Sequence, residues 1–317
     1  MSAARHYFVL SAPLFLIVLV GYVIGLWRHW PKRWTSIASK LVFAIILPAL
    51  LFHMLSDLST LPPVDARLLI AFFGGCFIVF GIGRLVAARV FRLDGVSQSV
   101  FALGGVFSNN VMLGLPIAKM TLGEAAVPAV ALVLVFNALT LWTLISVSVE
   151  WARHGALTVK GFGKTALSVV TNPLIGAIVI GTAVGLSGLT LPAPVRTAVG
   201  SVASLAAPAA LFVLGLGLAD YGIRRDWRIS MTITALKLLV QPLAVWMLGA
   251  AMGLPALELQ VVVLLASMAV GANVYLMAAQ FQTLQGAVAS SLVVSTALAA
   301  LTSPLLLGFM HAVGVGQ

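Results

Sequence analysis

Two short polar runs interrupt an otherwise apolar chain. One reads Phe107-Ser108-Asn109-Asn110-Val111-Met112-Leu113-Gly114-Leu115-Pro116, the other Ser267-Met268-Ala269-Val270-Gly271-Ala272-Asn273-Val274-Tyr275. Each lies at the middle of a hydrophobic segment. A buried amide needs hydrogen-bond partners, while Gly114, Pro116 and Gly271 weaken the helix at the same depth. A helix broken inside a membrane is tolerated where the break lines a cavity. The half-helix beyond the break then offers N–H groups and a positive dipole end, which bind an anion without any Lys or Arg. Asn109, Asn110, Gly114, Pro116, Gly271 and Asn273 are therefore the expected substrate-contacting set. Ser108 and the N–H groups of Val111 to Gly114 support them. Plain interhelical hydrogen bonding is the competing reading for each amide.

These runs need elements to hold them, and composition says which kind. Hydrophobic residues make up 61% of the 317 and charged residues 8%, against about 25% charged in an average soluble domain. No soluble core absorbs that much apolar surface, so an all-α integral membrane protein is expected. A crossing takes roughly 20 apolar residues. Ten segments satisfy this, at about 7–27, 35–56, 68–90, 98–120, 125–149, 164–186, 198–219, 230–252, 257–281 and 286–310. They are numbered 1 to 10 below. Segment 1 carries Pro13 and is followed by Arg28, Lys32 and Arg33, which is unlike a cleaved signal. Cys76, the single cysteine, excludes an intrachain disulfide and a thiolate metal cluster. An enzyme is disfavoured: the chain has no HExxH, no paired acids at segment centres and no Ser/Lys arrangement.

The net charge of +10 would suit nucleic acid if it formed a patch, but it is spread over short loops. Arg28, Lys32, Arg33 and Lys40, then Arg84, Arg89 and Arg92, then Arg153, Lys160 and Lys164, then Arg224, Arg225, Arg228 and Lys237 all fall at the 1–2, 3–4, 5–6 and 7–8 connections. The positive-inside rule then places both termini outside. Arg84 and Lys237 are expected to snorkel to the cytoplasmic surface. Asp57, Asp65, Glu124, Asp220 and Glu258 lie at segment ends or in loops. A proton-coupled carrier usually buries an ionisable group, and His53 in segment 2 is a weak candidate for that role. Coupling to H+ or to Na+ stays open, and no other cofactor is expected.

The halves of the chain echo each other. Pro13, Gly21 and Gly25 recur as Pro173, Gly181 and Gly185, and Pro48-Ala49 with Leu51-Phe52 recurs as Pro208-Ala209 with Leu211-Phe212. With only 14 prolines in the chain, two matches at one offset are not chance. Five segments per half invert the second copy, a frequent arrangement in secondary transporters. The expected units are residues 1–150, a cytoplasmic joint at 151–163, and an inverted repeat at 164–317. Gly21 and Gly25, like Gly181 and Gly185, have the spacing that lets helix backbones approach closely in lipid, and Pro48 and Pro208 should kink segments 2 and 7.

The helix 4 motif Asn109-Asn110-Val-Met-Leu-Gly114-Leu-Pro116-Ile, with Asn137-x4-Trp142, Asn172-Pro173-Leu-Ile-Gly and Asn273-Val-Tyr275-Leu-Met-Ala, resembles the auxin efflux carrier family. The likeness is greatest to its bacterial branch of malonate and other organic-acid permeases. It implies a ten-helix fold akin to bile acid–sodium symporters, with segments 1, 2, 6 and 7 as a scaffold, often dimeric. Segments 3–5 and 8–10 would form the moving transport domain, with 4 and 9 broken and crossing at the midplane. It also implies a bacterial inner-membrane carrier of small carboxylates working by an elevator-like motion, and adds Asn137 and Tyr275 as secondary site candidates. The family's crossing-point Asn maps onto Asn109. The chain departs from the pattern at Ser108 and Ala269, where members often have Pro, and at Leu69, where plant members pair a Lys with an Asp. The alternatives are a channel-like anion or solute pore and a carrier of a neutral or amphipathic solute.

Overall fold

The computed structural model describes residues 3–27, 31–56, 64–154, 173–189, 191–219 and 226–312. Arg28, Asn172, Lys160, Lys164, Arg224, Arg225 and most of the 151–163 joint lie outside these residues. Among the described residues the fold is all helix. Seven helices are long and apolar enough to cross a membrane: Arg5–Leu26, Arg33–Leu55, Arg67–Arg89, Glu124–Arg153, Ala193–Ala219, Trp227–Ala251 and Gln285–Ala312. They correspond to segments 1, 2, 3, 5, 7, 8 and 10. Large apolar side chains stand exposed on their outer faces, among them Leu16, Leu19, Ile70, Leu239, Met247, Leu301 and Leu305. Apolar surface on this scale belongs against lipid. The protein is a multi-pass membrane protein.

Segments 4 and 9 are interrupted, and segment 6 is described only from Pro173 onward. Segment 4 comprises Gly95–Gly104 (4a) and, after a gap, Asn110–Leu122 (4b). Segment 9 comprises Ala256–Ala266 (9a) and Ala272–Gln280 (9b). The described residues of segment 6 form the helix Pro173–Ser187. Helix 4a starts at Asp94, whose carboxylate accepts from the Val96 and Ser97 N–H groups and the Ser97 hydroxyl. That is an N-cap using donors that have no partner inside the helix.

Three helices contain one wide, π-type turn: Val42–Ile46, Asn110–Gly114 and Leu236–Val240. Each ends two residues before a proline, at Pro48, Pro116 and Pro242. A proline ring clashes with the carbonyl four residues earlier, and a widened turn relieves that clash without ending the helix. Pro208 has a different effect: segment 7 breaks at Leu205, between Ala193–Ser204 and Ala206–Ala219.

Glycine sets the closest packing. A methyl group on Gly21 of segment 1 would collide with the Phe212 carbonyl of segment 7, and one on Gly215 would collide with the Val18 carbonyl. A methyl on Gly181 of segment 6 would lie 3.1 Å from the Cα and carbonyl oxygen of Phe52 in segment 2. Segment 1 thus packs on 7 and segment 2 on 6, and segment 2 also touches 7. Segments 3, 4, 5, 8, 9 and 10 pack among themselves, 3 on 8 and 4, 8 on 9 and 10, 4 on 5. Segment 10 also lies along segment 1. The broken helices 4 and 9 pack mainly within this second group, and helix 4b also touches segments 1 and 7.

Candidate functional site

The gaps in segments 4 and 9 pair with each other. Ser108 and Val270 form an isolated antiparallel bridge. The Asn109 N–H donates to the Ala269 carbonyl at 2.9 Å, and the Gly271 N–H donates to the Phe107 carbonyl at 2.7 Å. Extended backbone left by one broken helix thus satisfies the other, so neither break leaves these groups unpaired in an apolar interior. The Val270 N–H is taken by the Ser295 hydroxyl at 3.0 Å. Gly271 is required by closeness: a methyl there would stand 3.0 Å from the Phe107 ring and 3.1 Å from the Ser108 carbonyl.

Helices 4b and 9b both begin at this crossing, and their N-termini face one pocket of about 330 Å³. Phe43 of segment 2, Leu134 and Asn137 of segment 5, and Pro173 and Ile178 of segment 6 close it on the other side. Ser108, Asn109, Asn110, Gly271 and Asn273 line it, as do Val111, Met112 and Ala272. Gly114, Pro116 and Tyr275 are not among the lining residues. Gly114 instead seats helix 4b on 9a, where a methyl would come within 2.8 Å of Leu265. Pro116 follows the wide turn in helix 4b.

The pocket's polarity is unusual for so buried a place. Asn109 is 7% exposed and Asn110 1%. Ser108 Oγ, Asn109 Nδ2, both polar atoms of the Asn110 amide and Asn137 Oδ1 have no hydrogen-bond partner among the described residues. Buried polar atoms are normally satisfied, so this cluster suits a ligand that supplies acceptors and donors. The backbone contributes as well. The Leu113 and Gly114 N–H groups both bond to the Asn109 carbonyl at 3.1 Å, which corrects the expectation that they face substrate. The N–H groups of Asn110, Val111 and Met112 precede that first bond and have no acceptor within the helix. In helix 9b the first such bond is Val274 N–H to the Gly271 carbonyl, 3.0 Å, which leaves Ala272 and Asn273 in the same position. No Lys or Arg lines the pocket among the described residues.

The chain matches the family described as "Membrane transport protein" over residues 6–307. It belongs to that family. The resemblance to the auxin efflux carriers therefore holds over the whole chain, and the protein is a transporter and not an enzyme. It is 23% identical over 300 residues to the "Putative malonate transporter" of Rhizobium meliloti (strain 1021), covering 92% of each chain. It is 26% identical over 301 residues to the "Uncharacterized transporter YfdV" of Escherichia coli (strain K12), covering 92% of this chain and 94% of that one. The protein of the same description from Shigella flexneri matches equally.

Several ionisable groups sit apart from the pocket. His53 is half-buried and faces Gly200 of segment 7, whose added methyl would touch its ring at 3.4 Å. Asp65 pairs with Arg67 at 2.6 Å, and the Arg67 guanidinium holds its carboxyl below the usual carboxylate range. Arg67 also reaches the Met252 carbonyl, and the Asp65 N–H reaches Glu258. The cation beside Asp65 is thus two residues on, not the four seen in the plant pattern.

One expectation of snorkelling fails, that for Lys237. Arg84 is half-buried and donates to Ser148 at 2.6 Å and to Gln98 at 3.3 Å. Lys237 is 0% exposed and donates to the Ala266 carbonyl. Its neighbour Gln241, also fully buried, donates to the Val106 carbonyl at 2.9 Å. The visible signal was a Lys and a Gln four apart, on one face of an apolar helix, just before Pro242.

Proposed function

We propose that this family member is a secondary carrier of small organic carboxylate anions, with malonate or a similar dicarboxylate as the foremost substrate. One observation carries the reading: two half-helix N-termini and several amides without partners converge on one pocket that, among the described residues, holds no cationic side chain. Helix N-termini attract anions through their N–H groups and dipoles, and broken-helix N-termini aimed at a carboxylate are a recurrent transporter device. The volume of about 330 Å³ is at the small end of ligand pockets, which suits a compact acid. The relative's name supports malonate.

On this reading Asn109, Asn110 and Asn273 hold the carboxylates, with Asn137 reaching from segment 5. The ten segments cross the inner membrane as two inverted five-helix units, 1–150 and 164–317, with the 151–163 joint in the cytoplasm and both termini in the periplasm. The exchange of Gly21–Phe212 for Gly181–Phe52, each member shifted by one constant interval, supports the repeat. Segments 1, 2, 6 and 7 act as scaffold and as the face of a homodimer. Segments 3–5 and 8–10 carry substrate past it by an elevator-like motion, coupled to H+ or Na+. Uptake by purified protein in liposomes, screened against mono- and dicarboxylates at two pH values with and without sodium, tests this. Saturable uptake and counter-exchange of a dicarboxylate are expected. Unsaturable conductance, or uptake of neutral solutes only, would refute it.

A further inference from the structure

Lys237 is the one buried cation among the described residues with no acid beside it. No carboxylate stands within ion-pair distance of its Nζ among those residues, and the titratable side chain facing it is the Cys76 thiol of segment 3. A buried ammonium without an anion is expensive unless something negative replaces one. What replaces it is helix termini. Helix 9a ends at Ala266, whose carbonyl accepts from Lys237. Helix 4a ends at Gly104, and the Val106 carbonyl just past it accepts from Gln241. Gln241 Nε2 also lies 3.3 Å from Cys76 Sγ.

Segment 8 thus clamps the negative ends of both broken helices with one Lys–Gln face, and the wide turn Leu236–Val240 lies along that face. Half-helix C-termini and unwound carbonyls are where cation-driven carriers bind their coupling ion. Each C-terminus carries about half a negative charge; Lys237 meets the one at Ala266, and the Gln241 amide meets the carbonyl past helix 4a.

We propose that the Lys237 ammonium is a resident cation occupying the position of a coupling metal ion, so that this carrier assembles its crossing and transports without sodium. The inference rests on the carrier reading above and removes Na+ from the two coupling ions it allows. Removing the amine leaves the Ala266 carbonyl at the end of helix 9a without its donor, beside the Val106 carbonyl that Gln241 holds, and Na+ is the ion proposed to enter there.

The test compares wild type with Lys237→Ala and Lys237→Met, each in sodium chloride and in choline chloride. Wild-type melting and malonate uptake are expected to be equal in the two salts, within about twofold for uptake. Lys237→Ala should lose at least about tenfold of its uptake in choline, the order expected when a buried charge partner is removed. Its melting temperature should rise by about 2 °C or more in sodium, as binding to the native state requires. Lys237→Met fills the space without charge and should lose uptake in both salts. A wild type stabilised by sodium, wild-type uptake that collapses in choline, or full uptake by Lys237→Met would each overturn the proposal. Should neither variant fold, the wild-type comparison of the two salts still decides it. Should no carboxylate be carried, the melting comparison still reads the lysine, so the two failures are separable.

Discussion

Asn109 donates its main-chain N–H to the carbonyl of Ala269 at 2.9 Å, and the two residues are related by the interval that relates Pro48 to Pro208 and Gly21 to Gly181. Under the proposed repeat, Asn109 is bonded to its own counterpart at the point where the two halves meet. Around that point the backbone is symmetric in role, since each broken helix supplies an extended strand to the other. The side chains are not symmetric: an amide faces the pocket on one side and a methyl stands opposite. The geometry is shared between the halves, and the chemistry is concentrated in one of them.

Gly271 holds the two broken helices at their bonding distance. Gly271→Val places branched carbon where even a methyl group would meet Phe107 and Ser108 at about 3 Å. We expect the melting temperature in detergent to fall by several degrees, for a cost of about 1–3 kcal/mol. Ligand-induced stabilisation should be lost as well, because the Phe107–Gly271 hydrogen bond is broken.

Asn137 reaches the pocket from segment 5, and its Oδ1 has no partner among the described residues. Asn137→Ala should weaken malonate binding by about 5- to 150-fold, the range of about 1–3 kcal/mol for one lost polar partner. Overall stability should be nearly unchanged. Titration calorimetry on the purified protein reads the first quantity and a melting curve the second.

Asp94 gives a pH-dependent prediction. Hydrogen bonds from Ser97 hold its carboxyl below the ordinary carboxylate range, so the folded state prefers the ionised form. That contribution is complete above the unfolded pKa of about 4 and fades as pH falls through the lower folded value. Asp94→Ala should cost about 1 kcal/mol at neutral pH, as for other N-caps. The difference in melting temperature between wild type and variant should narrow as the buffer is taken towards pH 3. A gap that widens with acid would contradict the cap.

Membrane orientation is testable by labelling. Cys76 is buried and should not react with a membrane-impermeant maleimide. Glu124→Cys should be labelled in intact cells, and Arg89→Cys only after the membrane is opened. The reverse pattern would turn the chain over.

Much of this was legible in the residues. Apolar segments at helical length marked the membrane helices, and Gly114, Pro116, Asn109 and Gly271 marked the two interruptions. The pairing of Gly21 with Phe212 followed a motif already visible as a repeat. What the residues could not show was where the side chains of long polar residues end. Lys237 has the composition of a snorkelling lysine, and only the proximity of Ala266, brought close by the break in segment 9, turns it inward. Leu113 and Gly114 misled for a related reason: the wide turn after Asn109 uses their N–H groups internally, and turn width is not encoded in a hydrophobic pattern. Gly114 and Pro116 shape helix 4b without lining the pocket, because the residues that break a helix need not be those that face its ligand.

A carboxylate held at the crossing of segments 4 and 9 should be lost with the Asn109 amide, which equilibrium binding of malonate to purified wild type and Asn109→Ala reads. Saturable binding by wild type is expected, with at least about a tenfold loss in the variant, the order of a lost hydrogen bond to a charged group, and both proteins melting alike. Equal malonate affinity in the two proteins would contradict that site.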